Sequence, residues 1–233
     1  MTLKVPISTL RIFEAAARRK SFSSRAPRLR LHSAPSFAAQ WLTPRLAQFF
    51  TECPEVDVRL SASAEYARFD AGEYDADIVY GLPRQEGLVV LPLCEETVTP
   101  LCTPSLAADI EAPADLLRHQ LIQSDNKQVR WPSWFELNGI AVPASPRGSR
   151  FDRSFLAIAA AANGLGVALE STLLAEREIV RGRLVAPLGG RAKDVRYVGH
   201  HLVYPRPFER RTPLRLFAQW LARELTIELT PFV

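Results

Sequence analysis

Residues 29–63 read LRLHSAPSFAAQWLTPRLAQFFTECPEVDVRLSAS, and this stretch decides the fold. It opens on a short apolar run at Leu29 and Leu31. It closes on Val56, Val58 and Leu60 alternating with Asp57 and Arg59, the period of a strand with one buried face. Between them, Thr43-Pro44 has the form of an N-cap followed by proline at the first helical position, where a missing N–H costs nothing. Leu46, Phe49 and Phe50 follow at i, i+3 and i+4, one apolar face for a helix on a sheet, and Pro54 stops that helix. The spacing predicts a βαβ unit. Its small-residue loop, His32-Ser33-Ala34-Pro35-Ser36, lies at the carboxyl end of the first strand, the edge where open α/β sheets bind ligands. Hydroxyls and backbone N–H groups beside a helix start suit a carboxylate.

Working outward, the chain has 233 residues, 47% hydrophobic and 23% charged, with 11 Gly and 18 Pro, which fits one large globular domain or two small ones. No window approaches the ~20 apolar residues that cross a bilayer, so no membrane partner is expected. The N-terminal segment carries Arg18-Arg19-Lys20 after its apolar part, the reverse of a signal peptide, and a cytoplasmic location follows as the expectation. Cys53, Cys94 and Cys102 are odd in number and far apart, which reads as reduced thiols with neither a disulfide framework nor a zinc site. Net charge is +4 but uneven: residues 1–30 hold eight Lys/Arg against Glu14, leaving 21 basic and 24 acidic residues for the rest. A basic end on a mildly acidic body suggests a segment facing nucleic acid, against the plainer reading of a solvated basic helix.

Along the chain, Ser8 or Thr9 can cap a helix to about Lys20, and Ser21 to Ser24 reads as a turn with a second N-cap. Pro27 then arrives before a second helix has room. Strands are expected at 76–80, 88–93, 98–102, 121–122, 149–151, 166–169 and, in one piece, 195–204. Helices are expected at 113–117, 155–162 and 172–180, and Leu214, Phe217, Trp220, Leu221 and Leu225 mark the buried face of a terminal one. This alternation predicts α/β architecture with mostly parallel sheets. No internal repeat is visible.

Two stretches carry a resemblance. Leu10 to Ala26 is similar to the opening of the winged helix-turn-helix of LysR-type transcriptional regulators, whose pattern is L-x-x-F-x-x-A-A-x-x-x-S-F-x-x-A-A. Leu10, Phe13, Ala16, Ala17, Ser21, Phe22 and Ala26 match it, and Arg25 departs from it. Residues 36–60, SFAAQWLTPRLAQFF through PEVDVRL, resemble the family's effector-binding domain. The likeness continues through DADIVYG, RFDRSFLAIAAAANGLGVAL and PLRLFAQWLARE, and is greatest to the branch of the glycine-cleavage and β-lactamase-gene activators. It implies two Rossmann-like subdomains joined by crossover strands, as in type 2 periplasmic binding proteins. The expected division is a helix-turn-helix remnant at 1–26, subdomain I at 27–99 and 203–233, and subdomain II at 100–202. The recognition helix, wing and linker helix of the family pattern have no counterpart between the two stretches, so specific DNA binding is expected to be impaired. A homodimer through the effector domain is expected.

The resemblance places Ser36 and Phe37 in the ligand loop, Ser154 at a helix start across the cleft, and Tyr204 where the last strand crosses back. Ser61 and Ser63 follow the second strand on the same carboxyl edge. As a set these six residues suit a small carboxylate or amino-acid-like effector, although each serine alone is as readily a cap or turn residue. Arg18, Arg19, Lys20 and Ser21 are the candidate remnant of a DNA contact. His32, beside the loop, can sense ligand charge, but lone histidines are more often satisfied polar groups. Asp75 and Asp77, two apart on an expected strand, read as solvent-facing residues at a strand entry rather than as an acid–base pair. Trp131 to Phe135 reads as packing, because only Arg130 adjoins it. His200 and His201 point to opposite strand faces and cannot share a metal. Gly164-Leu165-Gly166 follows a helix instead of preceding one, so it reads as a helix stop. No nucleophile, metal or phosphate motif occurs, so no catalytic residue, metal or cofactor is assigned. The rival readings are a free-standing effector sink or inhibitory partner of full-length relatives, a cytoplasmic solute-binding protein and, last, an enzyme hidden in the cleft.

Overall fold

The structure, a computed structural model, describes residues 26–83, 86–141 and 148–228. The expected N-terminal helix and the contact residues Arg18, Arg19, Lys20 and Ser21 lie outside these residues.

Two five-stranded sheets form two lobes. The first contains β1 (Arg28–Ser33), β2 (Asp57–Ala62), β3 (Ala76–Tyr80), β4 (Leu88–Pro92) and β10 (His200–Pro205), in the order β2-β1-β3-β10-β4. The second contains β5 (Glu95–Leu101), β6 (Leu121–Ser124), β7 (Gly148–Phe151), β8 (Val167–Ser171) and β9 (Val195–Val198), in the order β7-β6-β8-β5-β9. Each sheet has three parallel strands followed by an antiparallel strand that arrives from the other lobe. Both sheets are therefore mixed, and their shared topology is a repeat that the sequence does not show. The chain changes sheets between Pro92 and Glu95 and between Val198 and His200. Those points precede the boundaries expected at 99/100 and 202/203.

The expected strand at 195–204 is two strands broken at Gly199. A Cβ there would fall on the Glu96 carboxylate, which would have to move from its bond to His200 to make room. Gly164, at φ +81°, is the expected helix stop. Gly166 has a different role, since a Cβ there would overlap the carbonyl oxygen of Gln120 where β8 comes alongside β6. Gly166→Ala is expected to cost about 1–3 kcal/mol, the range for forced overpacking, as a lower urea midpoint at unchanged slope.

The helical segment after β1 starts earlier than its sequence suggests. It begins as α1 (Pro35–Phe37), passes through a π-helical turn (Ala38–Leu42) and a 3-10 turn (Thr43–Arg45), and ends as α2 (Leu46–Glu52). Thr43 is not an N-cap: it lies inside the 3-10 turn, whose N-cap position is Leu42. Pro44 lacks the N–H that would reach back to residue 40, and the irregular turns absorb the missing bond. Phe49 is buried, whereas Phe50 is exposed. The remaining helices are α3 (Pro104–Ala107), α4 (Trp131–Leu137), α5 (Ser154–Ala162), α6 (Thr172–Val180) and α7 (Thr212–Leu225), with 3-10 turns at Pro113–Arg118 and Arg206–Arg210.

Lobe I is centred on Trp41, Phe49, Phe217 and Trp220, where α7 packs beneath the sheet, and its apolar cluster continues into lobe II through Ile122, Ile158 and Leu174. Trp131, Trp134 and Phe135 form a second core with Leu116 and Leu169, so this aromatic group is packing. Asp75 is not solvent-facing: it is buried, and accepts from Arg30 and Arg211, tying the first strand to the start of α7. Burial pushes its carboxyl up, but Arg30 and Arg211 together hold it below the ordinary carboxylate value. A depressed folded-state value means that its stabilisation is complete above the unfolded value and is lost as pH falls through the folded one. Asp75→Asn should therefore lower stability at neutral pH by about 1.5–3 kcal/mol, with the difference from wild type shrinking below about pH 4 in acid-melting curves.

Candidate effector cleft

The carboxyl ends of the parallel strands of both sheets face one cavity of about 300 Å³. On lobe I it is lined by His32, Ser36, Ser63, Glu65, Asp77, Tyr80 and His200. On lobe II it is lined by Ser124, Asn126, Lys127, Asp152, Arg153, Ser154 and Leu174. Strand ends supply these groups because the last residue of a parallel strand leaves its side chain and N–H at the sheet edge.

The lobes meet at named bonds. Phe155, in the first turn of α5, donates its N–H to Ser36 Oγ at 3.3 Å, which leaves the Ser36 O–H to donate toward the cavity. Arg177 donates to Gln40 Oε1 at 3.2 Å, and Arg45, stacked on Trp41, pairs with Glu176. Where the chain crosses between lobes, the hydroxyls of Tyr80 and Tyr197 are 2.6 Å apart and the Gln128 N–H donates to Tyr80.

Just behind the cavity wall, where Lys127 joins the lining, lies a group of buried charges. Lys127 Nζ is 2.8 Å from Glu170 Oε2, with side chains 2% and 0% exposed. Ser124 donates to the same carboxylate. Burial pulls the ammonium down, and Glu170, with Tyr80 and Glu96 farther off, raises it above its ordinary value, so Lys127 is a permanent cation. Among the described residues Nζ has no acceptor beyond Glu170, although an ammonium carries three donors. Glu96 is likewise buried; burial raises it, but the His200 hydrogen bond and charge, with Ser171 and Lys127, hold it below the ordinary carboxylate range. On the rim, Asp77 Oδ1 accepts from His32 Nδ1 at 2.8 Å, Asp77 Oδ2 accepts the Ala67 N–H at 2.9 Å, and His32 Nε2 lies 3.0 Å from Ser63 Oγ. Burial pushes the Cys94 and Cys102 thiols up to about 11, which makes them poor nucleophiles.

Of the six residues expected to bind ligand, the cavity brings together Ser36, Ser63 and Ser154. Phe37 is fully buried behind it, stacked on Trp41 and against His200, because the early helix start turns that side chain into the core. Tyr204 is also fully buried, within the apolar core of lobe I. Ser61 lies on β2 away from the lining. His200 and His201 are both buried. Asp77 is buried against His32 and is not a solvent-facing strand entry. Sequence reasoning missed Asp77, Tyr80, Ser124, Lys127 and His200. A usable signal existed for Ser124 and Lys127, which follow the apolar Leu121-Ile122 pair as a polar strand end.

A family model for the LysR substrate binding domain matches residues 23–226. The chain is 55% identical over 203 residues to the uncharacterized HTH-type transcriptional regulator y4mQ of Sinorhizobium fredii, covering 87% of this chain and 68% of that one. It is 52% identical over 199 residues to the HTH-type transcriptional regulator PerR of Escherichia coli, covering 85% and 67%. The solved effector domain of the transcriptional regulator AmpR of Pseudomonas aeruginosa aligns with a TM-score of 0.71 at 30% identity, covering 85% of this chain and 96% of that one. These relatives are named as transcriptional regulators. Among the described residues no helix is long and apolar enough to cross a membrane. With two α/β lobes meeting around one cavity and this match along most of its length, the chain belongs to the LysR family of transcriptional regulators, through its effector-binding domain.

Proposed function

We propose that this domain senses a small molecule bearing a carboxylate, held in the cavity between the lobes. The observation that supports it is Lys127, a permanent cation buried at the cavity wall with donors left over from its one ion pair. Arg153, the Ser36 hydroxyl and the amino end of α5 add favourable interactions for an anion on the same side. A cavity of about 300 Å³ is at the small end of the ~300–1,000 Å³ typical of ligand sites, which suits a metabolite rather than a polymer. A ligand touching Ser36 on one lobe and Lys127 on the other favours the closed arrangement, the ordinary means by which an effector shifts a two-state equilibrium.

The test is thermal melting of the purified protein with a panel of small carboxylates and their amides. A binding carboxylate at about 100 times its dissociation constant should add about 2.7 kcal/mol of stability, and the matched amide much less. Ser36→Ala should weaken binding by about 5- to 10-fold, the value of one lost hydrogen bond. Equal response to acids and amides would refute the reading.

Sequence-specific DNA binding by this chain is impaired in the same proposal. The helix-turn-helix likeness ends at Ala26 and β1 begins at Arg28, which leaves no residues for a recognition helix. The basic residues at 1–30 then support only salt-sensitive contact with phosphates, and the chain acts on full-length relatives by pairing through effector domains. A sequence-selective footprint that survives raised salt would contradict the first part. Failure to co-purify with a full-length relative would contradict the second.

A further inference from the structure

The two sides of the cavity differ in charge. Lobe I contributes Asp77 and Glu65 and no Lys or Arg, whereas lobe II contributes Lys127 and Arg153 against Asp152. An anion bound at Lys127 leaves the acidic side to be matched by something else.

The hydrogen bonds of that side have room for one more donor when the His32 ring is neutral. A carboxylate only accepts, so His32 Nδ1 carries the proton that bonds Asp77 Oδ1, and in the neutral ring Nε2 is then an acceptor. Ser63 Oγ lies 3.0 Å from Nε2 and 3.2 Å from the Glu65 carbonyl oxygen. One hydroxyl hydrogen therefore faces two acceptors, and whichever it serves, the other is open to a donor from solvent or from a ligand. Asp77 is buried and both of its oxygens are already engaged, so it supplies negative potential behind the pair and no further donor.

We propose that the effector is a zwitterion whose ammonium group binds at His32, Ser63 and Glu65, backed by Asp77, while its carboxylate takes Lys127. This rests on the carboxylate reading above and narrows it to amino-acid-like ligands that bridge the lobes with opposite charges. An N–H from the ammonium completes the set of donors, and its charge matches the acidic lining. A dicarboxylate of the same length meets Asp77 and Glu65 with like charge and is rejected.

The experiment is calorimetric titration of the whole chain with matched series that differ at one position. Alanine, lactate, propionate and methylmalonate form one; phenylalanine, phenyllactate and 3-phenylpropionate a second; glutamate, 2-hydroxyglutarate and glutarate a third. In any series that binds, the amino acid should bind about 10- to 100-fold tighter than its desamino analogue, with the hydroxy acid between them, as expected for a charged hydrogen bond. Ser63→Ala, an exposed position that leaves the core intact, and Asp77→Asn should bring the amino acid close to parity with the desamino acid, the ratio of the two affinities being the readout. Desamino acids or methylmalonate binding as tightly as the amino acids would overturn this proposal and leave the carboxylate reading standing. An amino-acid preference that persists in both variants would overturn it by placing the ammonium elsewhere. No binding in any series would overturn both readings.

Discussion

Lys127→Met is expected to destabilise the protein by about 3–5 kcal/mol, the usual cost of removing one partner of a buried ion pair. Lys127 Nζ lies 2.8 Å from Glu170 Oε2 and the Glu170 side chain is fully buried, so the variant leaves a carboxylate inside with no cation. Glu96, also buried, loses a favourable charge at the same time. The physical claim is that the loss comes from stranding Glu170 and not from lost packing, since methionine replaces most of the lysine stem. Lys127→Met with Glu170→Gln should therefore recover most of the stability, because an amide oxygen still accepts from Ser124 while carrying no charge. The double variant should fold yet bind carboxylates at least about 10-fold more weakly. Urea unfolding gives the first pair of numbers and ligand titration the third. A single variant costing less than about 1 kcal/mol would mean that Glu170 is not held as a charge.

The other large effect is expected at Trp220→Ala, again about 3–5 kcal/mol. Trp220 is fully buried, with ring centroids 5.3 Å from Phe49, 5.7 Å from Phe217 and 6.3 Å from Trp41. Truncation removes its burial and leaves a void between α7 and the first sheet that rigid aromatic neighbours cannot fill. For a domain of this size the melting temperature should fall by roughly 10 °C. Trp220→Phe should cost clearly less, because the indole N–H has no acceptor among the described residues and its loss strands no partner. Equal losses for the two substitutions would point to a polar role for Trp220 instead of a packing one.

Some of this was legible in the sequence. The alternation at Val56, Val58 and Leu60 gives a strand whose burial alternates in the structure, and of the expected helix face Leu214, Phe217, Trp220 and Leu221 are buried while Leu225, in the last turn, is only partly so. Ala76–Tyr80 and Thr172–Val180 form at the expected residues. Where local reading failed, a distant group was responsible. Gly199 breaks the expected long strand because Glu96 lies against it, and Phe37 leaves the ligand loop because the helix starts at Pro35 and turns it onto Trp41. Ser36, Ser63 and Ser154 come together in the cavity, while Tyr204, on an equally suggestive strand, is part of the core.

By itself the sequence determined the βαβ opening, the α/β class, most of the strands and the long helices, and the family. Those features depend on the pleat of a strand and the pitch of a helix, which repeat within a few residues. Tertiary structure alone decided which polar side chains share a cavity and with what charge. Asp77 meets His32 across 45 residues and Phe155 meets Ser36 across 119, and no local period encodes such meetings. A side chain at a strand end becomes a binding group only when the second sheet arrives opposite it, and burial gives charge to Lys127 and Asp77 a weight that exposed residues of the same type lack.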